Sequence, residues 1–348
     1  MIFRILAVNP GSTSTKIAVY ENDAPLFEST VRHDAGGDAS LAVRERMILD
    51  ALAEYEVAVE SLHAIIGRGG MLRPIPGGVY PVNEAMLRDL RNCVYGDHAS
   101  NLGAQLARRM AEPLGIPAYI ADPVVTDELS PLARLSGHPQ IARRSVFHAL
   151  NQRAVAKRFC AARGLHYEDV NLIVAHMGGG VTVGAHQYGR VVDVNDGLGG
   201  DGPYSAQRCG GLPAFGLLKL YDTEKLTPAQ MAKKLTSDGG LLGYLGTDDG
   251  LEVSRRAQEG DKAARIVYEG MAYQVAKEIG ACAAVLSGEV AAIILTGGFA
   301  RDEELVGWIA ERVRFIAEIL VIPGEDELRA LSEAALRALR GEETLMAY

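Results

Sequence analysis

The sequence predicts a mixed α/β protein built from a duplicated unit, with strand hairpins followed by helices. Three observations carry this prediction. Apolar, β-branched runs end in glycine-rich turns at four places, the later two places repeat the earlier two in order, and apolar residues recur at helical spacing between them. Strand runs joined by hairpins and followed by helices indicate mixed sheets rather than a purely parallel doubly wound one.

The first place is residues 5–8, the turn Asn9-Pro-Gly-Ser-Thr-Ser-Thr-Lys16, and residues 17–20, which together read as a hairpin. The second has the same layout: residues 172–175, then His176-Met-Gly-Gly-Gly-Val-Thr-Val-Gly-Ala185, leading to residues 189–193. The third and fourth are Ala64-Ile-Ile-Gly-Arg-Gly-Gly-Met-Leu-Arg73 and Ala292-Ile-Ile-Leu-Thr-Gly-Gly-Phe-Ala-Arg301, identical at six of ten positions. An offset of 167 aligns Ile5 with Leu172, Gly11 with Gly178, Thr15 with Thr182 and Ala18 with Ala185, and an offset of 228 aligns the two Gly-Gly segments. A duplicated α/β unit with roughly 60 residues inserted in its second copy explains both. Helical spacing is expected over 143–163, stopped by Gly164, over 262–287, and over 325–340, stopped by Gly341.

Composition limits the functions available. With 348 residues the chain is long enough for two domains or one large one, and 48% apolar with 23% charged residues excludes extensive disorder. A net charge of −9 disfavours nucleic acid and anionic membranes as partners, so small molecules are expected. Cys93, Cys160, Cys209 and Cys282 form no metal-binding spacing, and the apolar start is too short for a signal peptide, so a reducing cytoplasm is the expected location. The 39 glycines exceed the average share and need a location.

Glycine turns after buried strands expose backbone N–H groups, as a bound phosphate requires. A Walker A loop is excluded because Thr15 stands where its second glycine should be and Ile17 where its magnesium hydroxyl should be. A Rossmann fingerprint is excluded by the spacing of Gly178, Gly180 and Gly184 and by the β-like residues that follow. What remains is one hairpin-type phosphate loop per half, expected to face each other across a cleft, with Ser12, Ser14 and Lys16 suited to a terminal phosphate.

Asn9-x-Gly-Ser-x-Ser-x-Lys16, Ser145-Val-Phe-His-Ala-Leu-Asn151, His176-x-Gly-x-Gly180 and Leu295-Thr-Gly-Gly298 together resemble the acetate kinase family of the sugar kinase, Hsp70 and actin superfamily. Within it the chain is most similar to the butyrate kinases, through Gly67-Arg-Gly-Gly70, His98-Ala-Ser-Asn101, residues 122–128, Gly200-Asp-Gly-Pro203 and residues 323–328. The match runs in order over nearly the whole chain. It implies a duplicated ribonuclease H-like, actin-like ATPase fold with mixed sheets, flanking helices and a central cleft. Residues 1–129 with 328–348 would be an acid-binding and phosphate-loop domain, and 130–327 a nucleotide-binding domain.

The resemblance implies reversible phosphoryl transfer between ATP and a short-chain fatty acid, with butanoate the expected acceptor and isobutyrate or other branched acids as alternatives. Mg²⁺ is the implied cofactor and ATP/ADP the co-substrate. Arg208, His148, Asp127 and Asn9 match catalytic positions, and Gly11, Ser12, Ser14, Lys16, His176, Gly178 and Gly180 the phosphate loops. Gly297 and Gly298 match the adenosine site, Arg68 and His98 the substrate site, and Glu327 the metal position, with Glu325 and Asp326 close beside it. Glu128, the neighbour of Asp127, could instead cap the following turn. Acetate kinases carry an arginine three residues before their H-G-G element; here Ile65 stands there and Arg68 replaces the histidine, which favours a larger acyl chain. A homodimer or larger assembly is also implied. The alternatives are an ATPase or polyphosphate hydrolase of the same superfamily, and a non-catalytic nucleotide-gated interaction protein.

Overall fold

A computed structural model describes residues 2–33 and 40–348. It divides into two compact units: Met1–Thr126, Ala149–Asn151 and Asp326–Tyr348 in the first, and Asp127–His148 with Gln152–Glu325 in the second.

The first unit holds β1 (Arg4–Pro10), β2 (Ser14–Glu21), β3 (Ala24–Arg32), β4 (Ala64–Arg68), β5 (Val79–Pro81) and β6 (Ala118–Ala121) in the order β3-β2-β1-β4-β6-β5. β1, β2 and β3 form an antiparallel meander, while β1, β4 and β6 run parallel. Helices α1 (Leu41–Glu54), α2 (Glu84–Arg91) and α3 (Asn101–Ala111) belong to this unit. Leu6, Val8, Ile17 and Val19 join Ile48, Met86 and Leu106 in one core.

The second unit begins with a small hairpin, β7 (Leu135–His138) and β8 (Ile141–Ala142), and helix α4 (Ala149–Arg163), which it contains from Gln152 onward. Its sheet, ordered β11-β10-β9-β12-β13, consists of β9 (Asn171–Met177), β10 (Val181–Gln187), β11 (Arg190–Val194), β12 (Ala292–Gly297) and β13 (Glu318–Pro323). Between β11 and β12 lie α5 (Ala214–Thr223), α6 (Pro228–Thr236), α7 (Gly240–Leu245), α8 (Gly250–Gln258) and α9 (Lys262–Val285), and α10 (Glu303–Val313) connects β12 to β13. The last helix, α11 (Glu327–Arg340), packs on β1 and β4 of the first unit. Among the described residues no helix is long and apolar enough to cross a membrane.

β9 shows why the central strands read as unbroken apolar runs. Ile173, Ala175 and Met177 face Met271, Val275 and Ile279 of α9, while Leu172 and Val174 face Val155 and Phe159 of α4. Both faces are covered, so neither face selects polar residues.

The pairing registers establish the duplication. Ile5 pairs with Ala64 and Val8 with Gly67 in one sheet; Leu172 pairs with Ala292 and Ala175 with Leu295 in the other. The offsets of 167 and 228 therefore map one register onto the other. The hairpins differ by one residue, which corrects the alignment of Thr15 with Thr182. Residues 11–14 connect the pair Pro10–Thr15, whereas only 178–180 connect Met177–Val181. Lys16 lies opposite Asn9 and Thr182 opposite His176, so Thr182 holds the place of Lys16 and Gly184 that of Ala18.

Two helix starts also differ from the sequence reading. The helix expected from residue 143 starts at Ala149, because Arg143 is drawn into ion pairs with Asp193 and Asp201 at 2.8 and 3.2 Å. The helix expected from 325 starts at Glu327, after Asp326 takes a left-handed conformation with φ of 38°.

β4 and α3 meet backbone to backbone. A Cβ on Gly67 would overlap the Gly103 carbonyl oxygen, and one on Gly103 would overlap that of Arg68. Gly103→Ala is therefore expected to destabilise the fold by ~1–3 kcal/mol through overpacking, read as a lower denaturant midpoint with an unchanged slope.

Candidate active site

In the first unit the predicted residues gather at the carboxyl ends of β1 and β4, where ligands of α/β sheets commonly bind. Asn9 and Lys16 are cross-strand partners, with Asn9 buried and Lys16 exposed. The Asn9 amide nitrogen donates to Glu327 Oε2 at 2.5 Å. Arg68 Nη1 reaches both oxygens of the same carboxylate, at 3.0 and 3.1 Å, and Asn9 Oδ1 at 3.5 Å. Asn9, Arg68 and Glu327 therefore form one cluster, in which the residue matched to substrate and the residue matched to metal are bonded to each other. His98 is instead held by its own turn: its Nδ1 accepts the Ser100 N–H at 3.2 Å and lies 2.8 Å from Ser100 Oγ.

Gly11 N–H donates to Ser14 O at 2.7 Å and closes the first loop, leaving Ser12 exposed and Ser14 half-buried. Arg44, absent from the sequence reading, braces this loop from beneath. It is buried and donates to Gly11 O at 3.0 Å and Thr15 Oγ1 at 2.8 Å. His33 Nε2 sits 3.1 Å from the same hydroxyl, its pKa lowered by burial and by Arg44.

In the second unit Gly178 N–H donates to Gly180 O at 3.0 Å. The Arg208 guanidinium occupies the space a side chain at 180 would fill: a Cβ there would overlap Nη1 and lie 2.8 Å from Cζ, with His148 Cε1 at 3.5 Å. Arg208 Nη1 donates to Gly197 O at 2.9 Å, while Ser205 Oγ accepts from Arg208 N–H and donates to Gly179 O. Burial lowers the Arg208 pKa and Asp196 opposes that shift, but a guanidinium stays charged in proteins. The rings of His148 and His176 stack at 3.7 Å and within 10° of parallel. His176 Nε2 lies 3.5 Å from Glu325 Oε1. Arg208, His148, His176, Gly178 and Gly180 are thus one cluster.

Asp127 is committed to Arg134, which donates to both its oxygens at 2.7 and 2.9 Å. Its Oδ1 also accepts Leu129 N–H, so Asp127 caps this turn. The capping role considered for Glu128 is corrected: that buried carboxylate binds Arg153 at 3.1 Å and Val191 N–H at 2.8 Å. Gly297 and Gly298 differ in what they require. Gly297 has φ of 89° and exchanges two backbone hydrogen bonds with Gly324, and a Cβ there would overlap Met177 O. A Cβ on Gly298 would meet open space.

A buried polar chain lies behind His148. Its Nδ1 is 2.9 Å from Thr182 Oγ1, and Gln152 Nε2 donates to that oxygen at 2.9 Å and to Thr182 O at 3.0 Å. Gln152 Oε1 is 3.1 Å from His186 Nε2, and Tyr167 OH is 2.7 Å from His186 Nδ1. The sequence reading missed these residues. Thr182, Gly184 and His186 do alternate on one face of β10, and Gln152 follows His148 by one helical turn, but neither spacing reveals that the two sets meet.

Residues 132–317 match the model of the Acetokinase family. The fold is similar to an acetate kinase from Porphyromonas gingivalis, at 20% identity over 96% of this chain and 99% of that one, with a TM-score of 0.80. It is also similar to a propionate kinase from Francisella tularensis subsp. tularensis SCHU S4, at 20% identity over 95% and 98%, with a TM-score of 0.77. An acetate kinase from Entamoeba histolytica matches at 16% identity over 95% and 98%, with a TM-score of 0.75. These likenesses give the chain the actin-like ATPase fold.

Burial, with a smaller effect from Arg153, pushes the His186 pKa down to about 3. The unfolded chain protonates this ring below about pH 6.5, so unfolding takes up a proton between those values and stability must fall as pH drops through them. Urea midpoints measured from pH 7 to pH 4 should decline, His186 contributing up to ~1.4 kcal/mol per pH unit, and His186→Gln should show a shallower decline.

Proposed function

Because the chain belongs to the acetokinase family, whose members are carboxylate kinases, we propose that it is a butyrate kinase catalysing butanoate + ATP = butanoyl phosphate + ADP, with isobutyrate and other branched acids as further acceptors. The observation that carries the phosphoryl-transfer reading is the placement of the Arg208 guanidinium in the space left by Gly180, with His148 beside it. Phosphoryl transfer needs positioned positive charge and hydrogen-bond donors more than covalent chemistry. A carboxylate acceptor is already ionised at pH 7, so no strong base is required to make the nucleophile.

In this reading Arg208 and His148 stabilise the transferring phosphoryl group, while the second loop, with His176, Gly178 and Gly180, holds nucleotide phosphate. The open side of Gly298, next to Gly297, accommodates the adenosine. Asn9, Gly11, Ser12, Ser14 and Lys16 hold the terminal phosphate. Arg68 receives the acid carboxylate in exchange for Glu327, its present partner, and His98 belongs to the same acid-binding unit. Preference for an acyl chain longer than acetate is supported by Ile65, which is fully buried in the core where acetate kinases carry arginine.

Glu327 offers one carboxylate, which suits Mg²⁺, an ion that takes one or two carboxylates together with nucleotide phosphates. No preformed group of three or more acidic, His or Cys ligands exists among the described residues. Mg²⁺ held through Glu327 would supply charge neutralisation at the phosphates. The first unit is then the acid-binding half and the second the nucleotide-binding half.

Protein, MgATP and hydroxylamine incubated with acetate, propionate, butyrate, isobutyrate or isovalerate should yield acyl hydroxamate, most rapidly with the C4 acids. Faster reaction with acetate would overturn the butyrate assignment, and no acid-dependent hydroxamate would overturn the kinase reading. Arg208→Ala should lower kcat by about 10²- to 10³-fold while nucleotide affinity, measured by calorimetry, changes by less than about threefold.

A further inference from the structure

We propose that Thr182, Gln152, His186 and Tyr167 form a directional hydrogen-bond relay that fixes the ring proton of His148 on Nε2, which makes Thr182 and Gln152 positioning residues for phosphoryl transfer. The inference rests on the reading of His148 as a donor to the phosphoryl group.

The direction follows from one atom. Thr182 O is a carbonyl and can only accept, so the group of Gln152 that lies 3.0 Å from it must be the amide NH₂. The Gln152 carbonyl oxygen then faces His186, whose Nε2 must carry a proton to bond it at 3.1 Å. His186 is neutral, so its Nδ1 accepts, and Tyr167 OH donates to it at 2.7 Å. At the other end Thr182 Oγ1 accepts from the Gln152 amide at 2.9 Å and directs its own proton to its remaining partner, His148 Nδ1, at 2.9 Å. His148 Nδ1 is therefore an acceptor, and the proton of the neutral ring resides on Nε2.

The relay has a built setting. Gln152, Thr182 and His186 are fully buried and Tyr167 is nearly so. Gly184, between Thr182 and His186 on the same face of β10, provides the room: a Cβ there would lie 2.5 Å from Gln152 Oε1 and 3.3 Å from His186 Nε2. Stacking on His176 fixes the plane of the His148 ring, and Thr182 fixes its rotation within that plane. A phosphoryl oxygen is acceptor-only, so a ring locked with its proton on Nε2 presents a donor without reorganising.

The test combines ring ¹⁵N NMR of the full-length protein with kinetics of Thr182→Val and Thr182→Ser. In the wild type His148 should show the Nε2–H tautomer. Thr182→Val should mix the tautomers and lower kcat by about 10- to 100-fold, with KM for ATP and acid within about twofold, whereas Thr182→Ser should retain the wild-type signature and rate. An Nδ1–H tautomer in the wild type would overturn the relay without any variant, as would an unchanged His148 signature in Thr182→Val. An unchanged kcat in that variant would overturn the positioning role. His148→Gln separates the two ideas: full turnover there would remove the donor role of His148, while the tautomer measurement would still decide the relay.

Discussion

A guanidinium lies where residue 180 would carry its first side-chain carbon, and this steric exchange organises the second unit. Arg208 can cross the 178–180 turn only because that turn is all glycine, and it is held there by the Gly197 carbonyl and by Ser205, which also ties down Gly179. The backbone at Gly180 is not left-handed, so the glycine serves space rather than conformational freedom. Gly184, which admits Gln152, and the facing pair Gly67 and Gly103 serve space in the same way. Gly297 differs, because its positive φ and its contact with Met177 O both exclude a side chain.

The two halves keep one register and diverge in chemistry. At the end of the first hairpin Asn9 and Arg68 bond the Glu327 carboxylate and Lys16 lies across the ladder from Asn9, so ionic groups dominate. The corresponding strand positions of the second half carry His176, Thr182 and Thr296, which are neutral or weakly basic and buried. Positive charge reaches the second loop separately, on Arg208 from the inserted segment.

The ion pair between Arg68 and Glu327 gives the first cluster a second property. Each residue satisfies the other, so neither charge is left unpaired where β1 and β4 end. The pair is partly solvent-exposed, so water screens it and it adds little to the stability of the fold.

The duplication was legible because strand register is periodic and local: Ile5 to Val8 and Leu172 to Ala175 are unbroken apolar runs, and their offsets survive folding residue for residue. The one-residue difference between the hairpins was not legible, because Thr15 and Thr182 align in sequence and only the ladder shows that Thr182 opposes His176. Helix starts at 149 and 327 also escaped the sequence, since remote ion pairs for Arg143 and a left-handed Asp326 overrode apolar spacing. Motifs named His148, Arg208, Arg68 and Glu327 but not their partners. The tertiary structure alone decided that Arg68 binds Glu327, that Arg208 lies over Gly180, and that Gln152 bonds Thr182. Sequence determines which groups a chain carries and the period of its elements, whereas hydrogen-bond partners are chosen by which faces pack together, a long-range property with no local signal.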